Sequence, residues 1–427
     1  MMMISDIVGL FIKIRKELIH LMGEPLNTVR NSEGISRSKR LWIAAVLGTL
    51  SGFGPLSIDM YLPALPELAV DFHASKSLVQ LSLTFFLLGL SSGQLLAGPI
   101  SDARGRRLPL LIGLLTYFVV SLLCIFSPSI WTLIGLRFVQ GLAGSAGIVI
   151  SRAVVRDLYS GPELTKFFAL LALVNGVAPI FAPVVGAQLL KIVPWQGVFF
   201  VLSIVGLVMF FVVLFGLPET LQDERRSAGG IKNTFITFRN LVLDRSFIGY
   251  ALAQGLVFAA MFAYISGSPF VVQNIYGGSP QMFSLIFAIN GIGIMIASQT
   301  TGRLAGRVRE SKLFVFGLGT SLISGIVLLV LLYLHSGLFF ILVPLFFVVS
   351  SVGVVSTSGF TLAMEKQGKN AGSASALLGV LSLTMGALVA PLVGMGGEDT
   401  AIPMGLVILC AGVGAVISYI CLVPRRK

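Results

Sequence analysis

Charge is what this sequence lacks most. Of its 427 residues only 11% are Asp, Glu, Lys or Arg, against 56% hydrophobic, where a water-soluble domain carries about 25% charged residues. Too few polar groups exist to cover a surface facing water, so the chain is read as an integral membrane protein. Cysteine and histidine are equally sparse. Cys124, Cys410 and Cys421 stand in hydrophobic runs without CxxC spacing, and His20, His73 and His335 lie outside those runs, so no metal site or disulfide framework is expected. The GxxxxGK[ST] loop of an ATP-driven pump is missing. The hydrophobic runs contain no paired carboxylates, histidine cluster or nucleophile with a base, and an enzyme is therefore not expected.

What the sequence does have is length in its apolar runs. A helix rising ~1.5 Å per residue needs about 20 residues to cross a ~30 Å hydrocarbon core, which excludes alternating barrel strands. Twelve segments qualify: 41 to 62, 77 to 99, 108 to 127, 130 to 151, 167 to 190, 197 to 217, 246 to 268, 281 to 302, 313 to 334, 337 to 360, 371 to 394 and 401 to 423. The net charge of +12 raises nucleic acid as a partner, but the placement of the charge argues for a membrane face instead. With a cytoplasmic N-terminus, 27 of the 30 Lys and Arg fall in the two tails and the inner loops; Lys76 and Lys191 fall outside and Arg137 within a helix. The positive-inside rule then puts both termini in the cytoplasm.

The division expected is a tail at 1–40, a six-helix half at 41–217, a linker at 218–245, a second half at 246–423 and a short tail at 424–427. Within the first tail, Ile4, Ile7, Val8, Phe11, Ile14, Leu18 and Met22 share one helical face with Lys13, Lys16 and Glu17 off it, the pattern of a helix lying on the inner leaflet. The halves echo one another: Gly98-Pro-Ile-Ser-Asp-Ala-Arg-Gly-Arg-Arg107 follows the second span and Gly302-Arg-Leu-Ala-Gly-Arg-Val-Arg309 the eighth. Such repeats mark transporters whose halves rock about a central site.

Within these span limits only Asp59 and Arg137 carry formal charge, at a cost of ~2.5–3.5 kcal/mol each on insertion scales, which makes both functional candidates. Counted from the outer ends of the first and fourth spans their depths match, so a pair is geometrically allowed. The functional reading is that Asp59 exchanges a proton and Arg137 tunes that exchange; the alternative is a static ion pair. In the fifth span Ala178, Ala182 and Gly186 recur every four residues, a smooth face for close helix contact, while Pro179 and Pro183 bend the helix. At the inner end of the second span Gly98, Asp102, Gly105, Arg106 and Arg107 form a candidate charge latch, with lipid anchoring as the simpler reading.

These residues carry a family resemblance. GPISDARGRR resembles the inner loop motif of the major facilitator superfamily. Arg137-Phe-Val-Gln-Gly141 resembles its fourth-helix motif, whose arginine is tied to proton transfer, and APIFAPVVGA at 178–187 its fifth-helix antiporter motif. IDMYLPALP at 58–66, YISGSPFVVQNIYG at 264–277, Asn290 and the Ser298-Gln299 region resemble the Bcr/CflA drug-resistance group. The resemblance covers roughly 41–423. It implies an all-α fold of twelve transmembrane helices in two pseudo-symmetric halves, exporting hydrophobic or amphipathic drugs in exchange for protons. No cofactor is implied beyond the proton as coupling ion. The partners implied are a small drug-like molecule, protons and membrane lipid, the protein acting as a monomer in the cell membrane.

Two departures accompany the resemblance. The fifth-helix motif ends Gly186-Ala187 where a second glycine is common, and Ser51 stands where some multidrug relatives carry another acid, which disfavours strongly cationic drugs. Candidate cavity residues by position are Phe53, Tyr61, Gln140, Gln254, Phe258, Met261, Tyr264 and Asn290. A proton-coupled carrier of one metabolite and a non-transporting receptor are the rival functions on the same fold.

Overall fold

The computed structural model describes residues 37–226, 230–365, 367, 371–395 and 400–424. The expected surface helix at 4–22 lies outside them. Among the described residues there is no β-strand, only one isolated bridge between Ala305 and Val308. Eleven helices among the described residues are long and apolar enough to cross a membrane, twelve when the bent Leu41–Ser51 and Phe53–Asp71 pair counts as one span.

In chain order the helices are α1 (Arg37–Ser51), α2 (Phe53–Asp59), α3 (Leu65–Asp71), α4 (Lys76–Arg104), α5 (Arg107–Ile125), α6 (Ile130–Leu158), α7 (Gly161–Leu189), α8 (Gln196–Gly216), α9 (Gly230–Leu243), α10 (Arg245–Phe270), α11 (Pro280–Leu304), α12 (Glu310–Tyr333), α13 (Leu338–Met364), α14 (Ala371–Gly394) and α15 (Ile402–Leu422). The first span is broken because its prolines sit where helix donors are needed. Pro55 and Pro63 have no N–H to offer the carbonyls of Ser51 and Asp59, and the chain bends by 44° at Gly52 and leaves helix after Asp59. Ser75, Ser129 and Ser279 cap α4, α6 and α11 through their side chains, satisfying the orphan donors of the first turn.

Helices α1–α8 pack among themselves, as do α10–α15, and the two groups meet chiefly along α4 with α14 and α7 with α11. These are spans two with eleven and five with eight, the pairings a two-fold relation between halves generates. The sequence reading gave the linker no structure, but α9 forms there and touches α4, α10 and α14, lying across both halves. The end of the bundle carrying α9 is called the linker face and the opposite end the far face.

Candidate functional site

Between the halves lies a cavity of about 690 Å³. Its wall is mainly apolar, with Phe168, Phe258 and Phe287 among the lining side chains and Asp59, Asn175, Tyr264 and Asn290 as polar points. A second hollow of about 370 Å³ on the linker face shares Gln94 and Arg152 with it, so the two form one path toward that face.

The far face is closed by hydrogen bonds from side chains of one half to backbone oxygens of the other. Ser77 donates to Pro391 (3.1 Å), Gln80 to Ser266 (3.0 Å), Thr84 to Ala387 (3.0 Å), Gln273 to Pro63 (3.3 Å), Gln281 to Ala187 (2.8 Å) and Ser284 to Pro183 (2.8 Å). Deeper, the Ser91 and Thr384 hydroxyls meet at 3.2 Å. The conformation is thus closed at the far face and open at the linker face.

Asp59 is 5% exposed and sits in the cavity wall. Among the described residues its carboxyl has no hydrogen bond or ion pair. Tyr264 of the other half shares this wall and accepts a hydrogen bond from Asn290 Nδ2 at 2.7 Å.

The Asp59–Arg137 pair that their matching depths allow is not formed. Arg137 is fully buried on the opposite side of α2, donating to the Ser57 carbonyl (3.0 Å) and to Gln140 Oε1 (2.5 Å). Its guanidinium lies 4.2 Å from the Phe86 ring centroid and 4.8 Å from that of Tyr61, so aromatic faces and neutral oxygens hold the cation in place of a carboxylate. The reason is rotational: the Ser57 hydroxyl meets Tyr117 at 2.6 Å on the Arg137 side, and Asp59, two residues on along the same helix, points to the opposite face.

That geometry also corrects four cavity candidates. Phe53 packs edge-on against Tyr117 with centroids 4.7 Å apart. Tyr61 bonds Ser82 at 2.9 Å and Gln140 bonds Ser121 at 2.7 Å, both fully buried around Arg137. Gln254 is buried in the second half beside Gly359. None of the four lines the cavity, whereas Phe258, Met261, Tyr264 and Asn290 do.

The small-residue face of α7 makes the close contact its spacing requires. Ala182 is 1% exposed, and a Cβ on Gly186 would land on the Met60 carbonyl just after α2. Pro183 offers its carbonyl to Ser284 of α11, Pro179 lines the cavity, and Ala178 is half-buried. This helix therefore seats the Asp59 segment on one side and the other half on its next.

The loop motif does form a charge cluster. Gly105 turns the chain at φ +85, where a side chain would be strained and would collide with Glu219. Arg106 bonds Asp102, Ser101 (2.9 Å) and Asp157 Oδ2 (2.9 Å), while Arg107 donates to the Leu214 carbonyl at 2.5 Å. Glu219 accepts from the backbone N–H groups of Arg106 (2.8 Å) and Arg107 (3.0 Å). Gly98 lines the linker-face hollow. The cluster ties α4, α5 and α6 to the segment after α8, all within the first half.

Sequence reading missed Asp157 and Glu219 as members of that cluster, and Arg152, Gln94 and Asn175 as cavity residues. Arg152 had been assigned to a loop because the apolar run stops at 151, yet α6 continues to Leu158. Lys76, also assigned to a loop, opens α4, is 5% exposed and lies 5.6 Å from the Phe270 ring centroid.

The chain was compared with known proteins. It is 47% identical over 390 residues to the uncharacterized MFS-type transporter YdgK of Bacillus subtilis, covering 91% of this chain and 97% of that protein. It is 32% identical over 380 residues to the bicyclomycin resistance protein homolog of Haemophilus influenzae, covering 89% and 96%. A bacterial homolog of the human lysosomal transporter Spinster, solved inward-facing and unoccupied, superposes with a TM-score of 0.70 at 15% identity, covering 90% of this chain and 96% of that one, a likeness of fold. The Major Facilitator Superfamily profile matches residues 47–391, and with these relatives and this fold the chain belongs to that superfamily of membrane transporters.

Proposed function

We propose that the protein exports hydrophobic or amphipathic small molecules across the cell membrane in exchange for protons, by alternating access, with the linker face and both termini in the cytoplasm. The observation that carries the reading is the Asp59 carboxyl, without an ion-pair partner among the described residues, in the wall of a mainly apolar cavity between the halves. With no counter-charge paired to it, the carboxyl is available to load a proton on one side and release it on the other. Substrate and proton share one wall, and occupancy by either shifts the affinity for the other by linkage. The far-face hydrogen bonds are the contacts such a cycle must break to open outward. The basic tails and loops support the cytoplasmic assignment of the linker face, and the name of the bicyclomycin resistance homolog supports a drug-like cargo.

The test uses everted membrane vesicles energised to an acid interior, with a pH-sensitive dye reporting proton efflux as each compound of a drug panel is added. Wild-type vesicles should lose the gradient on adding an exported compound, and Asp59→Asn vesicles with equal inserted protein should not. Gradient loss unchanged by Asp59→Asn would refute the role of this carboxyl.

A further inference from the structure

The cavity holds a second charged group that the proton-exchange reading does not use. Arg152 lines both the main cavity and the linker-face hollow, at the point where one opens into the other. It stands six residues before the end of α6 and is exposed to this space. Among the described residues its guanidinium makes no hydrogen bond or ion pair. The nearby acids are occupied: Asp157 by Arg106 and by the Thr220 hydroxyl (3.1 Å), Asp102 by Arg106. Across the hollow, the second half presents Gly372, Ser373, Ser375, Ala376 and Gly379, with no acid among the described residues there to receive the cation. On the next turn Arg156 lies over the Phe168 ring at 5.8 Å.

The two charged groups of the main cavity are well separated. A Cβ on Gly147 would meet the Leu50 carbonyl, which sets the register of α6 against α1. Asp59 lies beyond Leu50 toward the far face and Arg152 beyond Gly147 toward the linker face, leaving about 20 Å between them at ~1.5 Å per residue. An anion seated at Arg152 therefore does not meet the Asp59 charge, and an apolar body extending from it runs along Phe168 and Phe258.

We propose that Arg152 is an anion subsite at the mouth of the cavity, and that amphipathic carboxylates or sulfonates with an apolar body are the molecules this cavity takes best. The guanidinium fork is built to receive such groups in two parallel hydrogen bonds. A cation whose role was membrane topology would face lipid headgroups, whereas this one faces the cavity. The assignment rests on the reading of the cavity as a substrate site.

The experiment compares dansylglycine, an amphipathic carboxylate, with dansylglycinamide, its neutral counterpart, binding to the full-length protein in nanodiscs of zwitterionic lipid. The wild type should bind the carboxylate about tenfold more tightly, the scale of a charge-assisted hydrogen bond. Arg152→Gln should erase that preference and leave dansylglycinamide affinity unchanged, which also shows that the variant is folded. Arg152→Lys should retain part of it. Equal wild-type affinities, a preference that survives Arg152→Gln, or no binding of either probe would overturn the subsite. Export of dansylglycinamide, read in vesicles with and without Asp59→Asn, separates the two claims. Asp59-dependent export without an anion preference sinks the subsite alone, while Arg152-dependent carboxylate binding without Asp59-dependent export upholds the subsite and sinks the exchange reading.

Discussion

Replacing Thr84 by valine should open the far face. The Ala387 carbonyl has lost its helical donor because Pro391, four residues on, carries no N–H. Thr84 Oγ1 of the opposite half supplies the missing bond at 3.0 Å, with Thr84 6% and Ala387 0% exposed. Thr84→Val keeps the shape and removes the donor, leaving a buried acceptor unsatisfied at about 1–3 kcal/mol. With the far face open, the carbonyl would border a water-filled cleft and that penalty would vanish. The substitution should therefore shift the equilibrium toward the far-face-open state by about 5- to 150-fold, at ~1.4 kcal/mol per factor of ten. Spin labels at Ile192 and Met395, 83% and 73% exposed on the far face of the two halves, would report the shift as a growing long-distance population in double electron–electron resonance. Thr84→Ser, which keeps the hydroxyl, should behave as wild type. An unchanged distance distribution for Thr84→Val, or an equal change for Thr84→Ser, would refute the claim that this carbonyl latches the closed face.

Other substitutions test other parts of the argument. Gly186→Leu should abolish transport and lower the melting temperature, because the new side chain meets the Met60 backbone and overpacking of this kind costs about 1–3 kcal/mol; retained activity would place that face away from α2. Arg137→Ala should destabilise by emptying a fully buried aromatic box, yet its stability effect should add to that of Asp59→Asn within about 0.5 kcal/mol, since the two side chains do not meet in this conformation; a larger coupling in a thermal-melt cycle would argue against that separation. Burial raises the Glu219 carboxyl, but the backbone N–H groups of Leu221, Arg106, Arg107 and Thr220 outweigh it and hold the group below its ordinary range. The stability Glu219 contributes is then present above the usual glutamate range of about 4.3 and lost as pH falls through the lowered folded value. Melts of wild type and Glu219→Gln should differ at neutral pH and converge on acidification; a constant gap would remove the ionised carboxylate from the account.

How far the sequence carries can be judged helix by helix. Span number was legible because the hydrocarbon core imposes one length on every crossing. The small-residue face of α7 was legible for a similar reason: its four-residue spacing allows close approach whichever backbone comes to meet it. Helix ends were less legible. An apolar run stops at its first cation, so Arg152 was assigned to a loop, but α6 continues past it because the cavity gives the guanidinium a place to project. The α9 helix was missed since its amphipathic turns are short and stand among charges, and its partners on α4 and α14 lie far away in the chain.

The missed Asp59–Arg137 geometry shows where such reading stops. Depth follows from counting residues, and the two positions do sit near one level, as the Arg137 bond to Ser57 demonstrates. Direction around the helix axis follows only from knowing the neighbours, and here α2 stands between the cavity on one side and the Tyr61, Phe86 and Gln140 cluster on the other. A residue offset of two turns the carboxyl toward the cavity and leaves the arginine behind the helix. The consequence is mechanistic. Arg137 anchors the backbone of the segment that carries Asp59 while leaving its carboxyl unpaired, so under the exchange proposed above the arginine sets where that carboxyl stands, and the exchange itself is left to the cavity and its contents.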